Sequence, residues 1–206
     1  MNNGYLKTVS FLASGRGSNF EAVAEKIISG YIPAKPGILI TDKDNAACLE
    51  KAARLGIYSI FIDPKKFNSR EEHEKEMVKY LEKYNTDLIV ASGYMRLLTP
   101  YFIEKFKMKI INIHPSLLPS FSGKNAQQQA INHGVRISGC TTHFVDEGTD
   151  TGPIILQAAV EVLIGDDAES LSERILNEEH RILPESVKLF CENRITVADR
   201  KVYISV

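Results

Sequence analysis

Along the first half of the chain, short apolar runs alternate with amphipathic stretches. The run Val-Ser-Phe-Leu-Ala at 9–13 predicts a strand, and 20–28 predicts a helix. A second strand is expected at 37–40, a helix near 46–54 and a third strand at 58–62. Segment 70–84 is highly charged but keeps an apolar stripe at Met77, Tyr80 and Leu81, the spacing of a helix with one buried face. Strands at 87–91 and 109–113 complete the series. Strands interleaved with helices imply right-handed crossovers, and therefore an α/β fold built on a doubly wound, mostly parallel sheet.

The pattern changes beyond Pro115. A loop rich in Pro, Ser and Gly runs to 124, and a short helix follows to about 133. Segments 139–145 and 153–162 are strand-like and close enough in sequence to pair antiparallel, giving the sheet an antiparallel C-terminal portion. Residues 167–192 read as helix, with Pro184 expected to break or kink it, and 201–206 alternates like an edge strand. Without repeats, low-complexity segments or a linker, a single domain over 1–206 is the expectation. Ligands of open α/β sheets collect beyond the carboxyl ends of the strands, which directs attention to the loops after 9–13 and 109–113.

Charge narrows the partners. Lys plus Arg total 25 and Asp plus Glu 26, a net charge of −1, so no global field favours nucleic acid or a membrane surface. Cys48, Cys140 and Cys191 form no CxxC pair and fit a reducing compartment. The N-terminus lacks a basic start followed by an apolar core, and no apolar run is long enough to span a bilayer. The expectation is a cytoplasmic protein acting on small molecules.

Three segments carry chemistry. Ser14-Gly15-Arg16-Gly17-Ser18-Asn19 follows the first strand and opens a helix, where free backbone N–H groups and a partial positive charge suit a phosphate. The third glycine of the dinucleotide fingerprint is absent, since position 20 is Phe, and no Walker sequence follows. The same residues also read as a plain turn with a Ser18–Glu21 capping box. Glu21 would oppose a phosphate unless it points away, with Arg16 as an offset.

The second segment, Asn112-Ile113-His114-Pro115-Ser116-Leu117-Leu118-Pro119, ends an apolar strand. Asn112 and His114 are two apart and so share one face of it. An amide donor and an imidazole together suit acyl transfer, one holding an oxyanion while the other manages a proton. Each alone reads more readily as a loop residue or a turn cap; it is the pairing, with two prolines shaping the loop, that brings the catalytic reading level. The third segment, 143–153, is an acidic loop in which Asp150 is placed to orient His114 and hold it protonated. A metal site is disfavoured, because HExxH and paired-Cys spacings are missing and Asn is a poor ligand for transition metals. His143 is expected to be a hydrogen-bonded structural residue, and His73 and His133 surface residues.

With these segments in this order, plus Gly93-Tyr94-Met95-Arg96-Leu97-Leu98, the chain resembles the phosphoribosylglycinamide formyltransferase family over nearly its whole length. The resemblance implies a Rossmann-like formyltransferase fold and 10-formyltetrahydrofolate as co-substrate, with no metal. It implies formyl transfer to the amine of 5-phosphoribosylglycinamide in purine biosynthesis, by a monomer or homodimer. The family's catalytic trio falls on Asn112, His114 and Asp150. Its ribose-phosphate contacts fall on Gly17, Ser18, Asn19 and Glu179, so the N-terminal half would bind phosphate and the C-terminal half would bind folate and catalyse. Folate contacts fall on Arg70, Met95, Arg96, Leu97 and Leu98, and on Asn112, Asp146, Glu147, Gly148, Thr149 and Asp150. Two departures stand out: Gln127, where members often carry His, and Leu176, where some carry a polar residue. A methionyl-tRNA formyltransferase would be expected to add a C-terminal nucleic-acid-binding domain and a basic surface, and a formyltetrahydrofolate hydrolase a regulatory domain ahead of the first strand. Against a non-catalytic folate- or nucleotide-binding module stands the intact trio.

Overall fold

The computed structural model describes residues 5–205. Seven strands form one sheet: β1 (Lys7–Leu12), β2 (Ala34–Thr41), β3 (Ser59–Phe61), β4 (Leu88–Ala91), β5 (Ile110–His114), β6 (Ile137–Phe144) and β7 (Ile154–Glu161), in the order β3-β2-β1-β4-β5-β6-β7. The first five are parallel, and β5–β6 and β6–β7 are antiparallel. The connections explain the switch. Helices α1 (Ser18–Ile28), α2 (Cys48–Arg54), α3 (Arg70–Lys83) and α4 (Pro100–Lys105) carry the chain back between parallel strands. Helix α5 (Ala126–His133) lies between β5 and β6, and a loop alone joins β6 to β7, as an antiparallel pair allows.

Alternate strand residues face opposite layers, because side chains on a strand have a period of two. Val9 and Phe11 pack with Phe20, Val23 and α6 (Ala168–Cys191) on one face. Leu12, Ile38, Ile40 and Ile89 pack with Met77, Leu81 and Phe102 from α3 and α4 on the other. Both faces are covered, which is why the parallel strands read as unbroken apolar runs. Chain order reverses between β1 and β4, and there the loops that follow them meet. Ser14 N donates to Gly93 O at 3.1 Å and Met95 N to Ser14 Oγ at 3.0 Å.

Several expectations change. Pro184 does not break α6, which runs unbroken through it. An interior proline costs about 3 kcal/mol or more. That is outweighed by fully buried Leu171, Ile175, Leu183 and Val187, each contributing about 1.5–3 kcal/mol. The tail does not join the main sheet: β9 (Lys201–Ile204) pairs with β8 (Ile195–Ala198) in a separate hairpin. Val206, included in the expected edge strand, lies outside the described residues. The capping box is also absent. Gly17 caps α1 in a left-handed conformation, Ser18 is already helical, and Glu21 pairs with Lys51 and Arg54 of α2. Helix α4 was not anticipated, although Thr99-Pro100 at its start is a legible signal: the Thr99 side chain accepts from Phe102 N. Among the described residues no helix is long and apolar enough to cross a membrane.

Candidate active site

The glycine loop is shaped by close packing. Gly17 has φ 66°, and a Cβ there would lie 2.5 Å from Cys48 Cβ. Cys48 N donates to Gly15 O at 3.1 Å, tying the loop to the start of α2. With Glu21 drawn away, the open N-terminus of α1 faces a cavity of about 230 Å³ lined by Gly17, Ser18, Asn19, Ser92, Gly93 and Glu179, among others. Asn19 Nδ2 donates to Glu179 Oε2 at 2.7 Å. Burial pushes the Glu179 carboxyl up, partly countered by that hydrogen bond. Asn19 Oδ1 and Ser92 Oγ are buried without a partner among the described residues, which leaves polar capacity for a ligand in this lining. Gln127 reaches Ser172 Oγ at 3.4 Å, and Leu176 lies beside it in the same lining.

Asn112 and His114 project from β5 to one face, and the antiparallel register sets His143 of β6 directly opposite Asn112. The loop after β6 folds back over β5 and brings Asp150 Oδ2 to 3.3 Å from His114 Nδ1. Asp150 holds a left-handed conformation, φ 56°, and its Oδ2 accepts from Gly123 N at 2.8 Å. His114 Nε2 donates to Phe121 O at 2.8 Å. Both ring nitrogens therefore face acceptors, which fixes the plane of the ring.

His143 does more than expected. Its Nδ1 donates to Phe144 O at 2.9 Å, so its Nε2 is free to accept from Asn112 Nδ2 at 3.2 Å. The same Nε2 lies 3.7 Å from Asp150 Oδ1. That spacing would be an ion pair only with a charged ring, but burial pulls this imidazole below its ordinary value and favours the neutral acceptor. Asn112 is thus fixed by one N–H and keeps the other for a ligand. His133 is exposed, as expected, but His73 is not a surface residue. It is buried on the inner face of α3, where Nε2 donates to Ile62 O at 3.0 Å and the ring meets Phe67 edge-on.

The remaining segments flank this centre. Arg70 opens α3 and donates to Leu97 O at 3.4 Å. Met95 and Leu97 are 70% and 63% exposed, an unusual apolar surface for a loop, while Leu98 is half-buried. Arg96 is half-buried, with its Nε unpartnered among the described residues. Beneath them, buried Glu74 accepts from Thr99 N at 2.9 Å and from Thr99 Oγ1. Burial pushes the Glu74 carboxyl up, and these hydrogen bonds oppose the shift.

Asp146 Oδ1 accepts from Gly148 N at 3.2 Å and Thr151 Oγ1 at 2.6 Å, closing the acidic loop on itself. A Cβ at 148 would lie 2.0 Å from Thr151 Oγ1, so any side chain there would displace that hydroxyl from Asp146. Glu147 and Thr149 are exposed along that loop. Arg200, from the β8–β9 turn, lies 3.6 Å from Asp146 Oδ2 and donates to Thr151 O. Leu98, Tyr94 and Val145 pack on one apolar cluster, so the 95–98 and 146–150 segments border the same side of the sheet. Sequence reading missed Glu74, Phe121 and Arg200, whose roles depend on contacts between distant segments. Among the described residues no group of three His, Cys, Asp or Glu is arranged to hold a metal ion.

Comparison with known proteins fits this arrangement. The family described as formyl transferase matches residues 7–187. The phosphoribosylglycinamide formyltransferase of Bacillus subtilis is 39% identical over 89% of this chain and 94% of its own length. The trifunctional purine biosynthetic protein adenosine-3 of Gallus gallus is 41% identical over 93% of this chain, which spans only 19% of that much longer protein. A crystal structure of glycinamide ribonucleotide transformylase 1 from Symbiobacterium toebii superposes with a TM-score of 0.96 at 44% identity, covering 98% of this chain and 95% of that one.

Proposed function

The chain belongs to the formyl transferase family, and from that premise we propose that it transfers the formyl group of 10-formyltetrahydrofolate to the amine of 5-phosphoribosylglycinamide, a step of purine biosynthesis. The donor is a co-substrate. Arg70, the exposed apolar loop 95–98 and the acidic loop 146–150 border its site. The acceptor's ribose and phosphate lie in the cavity between the α1 N-terminus and Glu179. One formyltransferase unit spanning the chain, acting on small molecules in the cytoplasm, is consistent with the near-neutral charge and three free cysteines.

When the acceptor amine attacks the formyl carbon, the carbonyl oxygen gains negative charge. Asn112 meets it with the N–H that His143 leaves free, and His114 with the Nδ1–H that otherwise faces Asp150. Phe121 O holds the far side of the imidazole, so the ring stays correctly aimed. Asp150, anchored by Gly123 N, orients the imidazole and, in this proposal, relays the amine proton toward the folate N10 leaving group. The folded-back Asp150, 3.3 Å from His114, is the observation that carries this reading.

The test follows absorbance of the formylfolate with and without phosphoribosylglycinamide. Consumption that needs the amine, and that fails in His114→Ala, Asn112→Ala and Asp150→Asn proteins that still fold, supports the proposal. Consumption without the amine would mark a hydrolase, and near-normal rates in all three variants would refute the mechanism.

A further inference from the structure

The cavity at the start of α1 neighbours a second, of about 480 Å³, bordered by Glu169 and Glu173, and the two share Arg16 in their linings. Glu179 stands in the wall of the first. Three carboxylates therefore line two neighbouring cavities, the first of which, on the reading above, must receive a phosphate dianion. The N-terminus of α1 offsets part of this, supplying roughly half a unit of positive charge. Among the residues lining either cavity there is one cation, Arg16, and it lines both.

The other basic side chains near the loop are committed. Lys51 and Arg54 both hold Glu21, on the α2 side of the helix. Arg16 is exposed and, among the described residues, its guanidinium makes neither a hydrogen bond nor an ion pair. Its backbone lies between Gly15, which accepts from Cys48 N, and Gly17, which is held against Cys48 Cβ. The side chain is thus free to turn while its root is fixed at the mouth of the anion site. Leu176 and Gln127, the other side chains shared by both cavities with Ser172, bring no charge.

We propose that Arg16 is the residue by which this enzyme selects a phosphorylated acceptor over the same amine without its phosphate. The guanidinium closes over the phosphate from the side opposite the backbone N–H groups, its planar fork matching two phosphate oxygens. It also screens the dianion from Glu169 and Glu173. This assignment rests on the function proposed above but is separable from it.

The experiment measures kcat and KM for phosphoribosylglycinamide and for ribosylglycinamide lacking the phosphate, using the wild type, Arg16→Ala and Arg16→Lys. Charge-assisted contacts of this kind contribute about ten- to hundredfold in binding. Arg16→Ala is expected to raise KM for the phosphorylated acceptor by that factor. The KM of the formyl donor and the weak use of the unphosphorylated acceptor should stay within about twofold, since neither presents a phosphate to the fork. Arg16→Lys should fall between, since it restores charge but not the fork. An equal loss on both acceptors would overturn the proposal and make Arg16 a partner of Glu179 only. No change on either would overturn it in favour of backbone recognition alone. If the wild type transfers formyl to neither acceptor, the parent reading fails instead.

Discussion

The site proposed for the acceptor's phosphate opens on backbone N–H groups of the glycine loop, whereas the proposed reacting centre is made of side chains from separate stretches of chain. On the first side, the glycine loop offers N–H groups because Gly17 adopts φ 66° hard against Cys48. On the second, β5 supplies Asn112 and His114, β6 supplies His143, and the loop after β6 supplies Asp150. A backbone site is broken by adding atoms, and a side-chain site by taking them away.

The largest effect tests the second half of that statement. Removing one oxyanion donor costs about 3–4 kcal/mol in barrier. We expect His114→Ala and Asn112→Ala to lower kcat by about 10²–10³ in proteins that stay folded, as measured by steady-state kinetics beside calorimetry. Gly17→Ala tests the first half. One added methyl meets Cys48 in a conformation that costs L-residues about 1–2 kcal/mol. A loss of about 1–3 kcal/mol in urea unfolding is expected, with a raised KM for the phosphorylated acceptor and an unchanged KM for the donor.

Acidity separates the regions more finely. Burial holds the imidazoles of His73 and His143 below their ordinary value. Below about pH 6.5 the unfolded chain takes up protons that the folded one refuses, so stability falls with falling pH. Each histidine contributes up to about 1.4 kcal/mol per pH unit. Glu74 and Glu179 act oppositely: their carboxyls are raised in the fold, so their contribution is largest in acid and is lost as pH rises. Urea midpoints at pH 7.5 and 5.5 should therefore converge in His73→Phe, whose pH–rate profile stays that of the wild type. His73 belongs to the scaffold, and a shifted rate profile would move it into the site.

The smallest effect concerns the C-terminal hairpin. Arg200 is mostly exposed, so its pairing with Asp146 contributes about 0–1 kcal/mol. It sits at φ 65°, where glycine is more comfortable. Arg200→Gly should leave thermal stability unchanged or slightly raised, yet raise KM for the formyl donor by about two- to fivefold by loosening the acidic loop. An unchanged KM would show that the loop is closed by Asp146 alone.

Much of this plan is legible in the amino-acid sequence. The strand runs stand out because both sheet faces are covered, and the Gly-Arg-Gly-Ser-Asn and Asn-Ile-His-Pro stretches mark strand ends through residues whose backbone preferences are strong. What stayed hidden depends on packing between remote segments. Register across β5 and β6 puts His143 beside Asn112, and no local spacing encodes that pairing. The capping box at Ser18 and Glu21 matched its motif, but Gly17 took the cap and two cations of α2 took the glutamate. Pro184 looked like a break until the apolar face of α6 was seen against the sheet. His73 lay hidden in a charged helix because it continues the Met77 stripe one turn earlier.

The reversal of strand direction at β5 has a consequence for how such a protein can diversify. A parallel neighbour would have obliged the chain to spend its next stretch on a return helix. Because β7 instead runs back beside β6, the peptide between them carries no architectural duty beyond joining two adjacent ends. Apart from Asp150 and the contacts that hold it, its length and composition can drift while the framework beneath stays as it is.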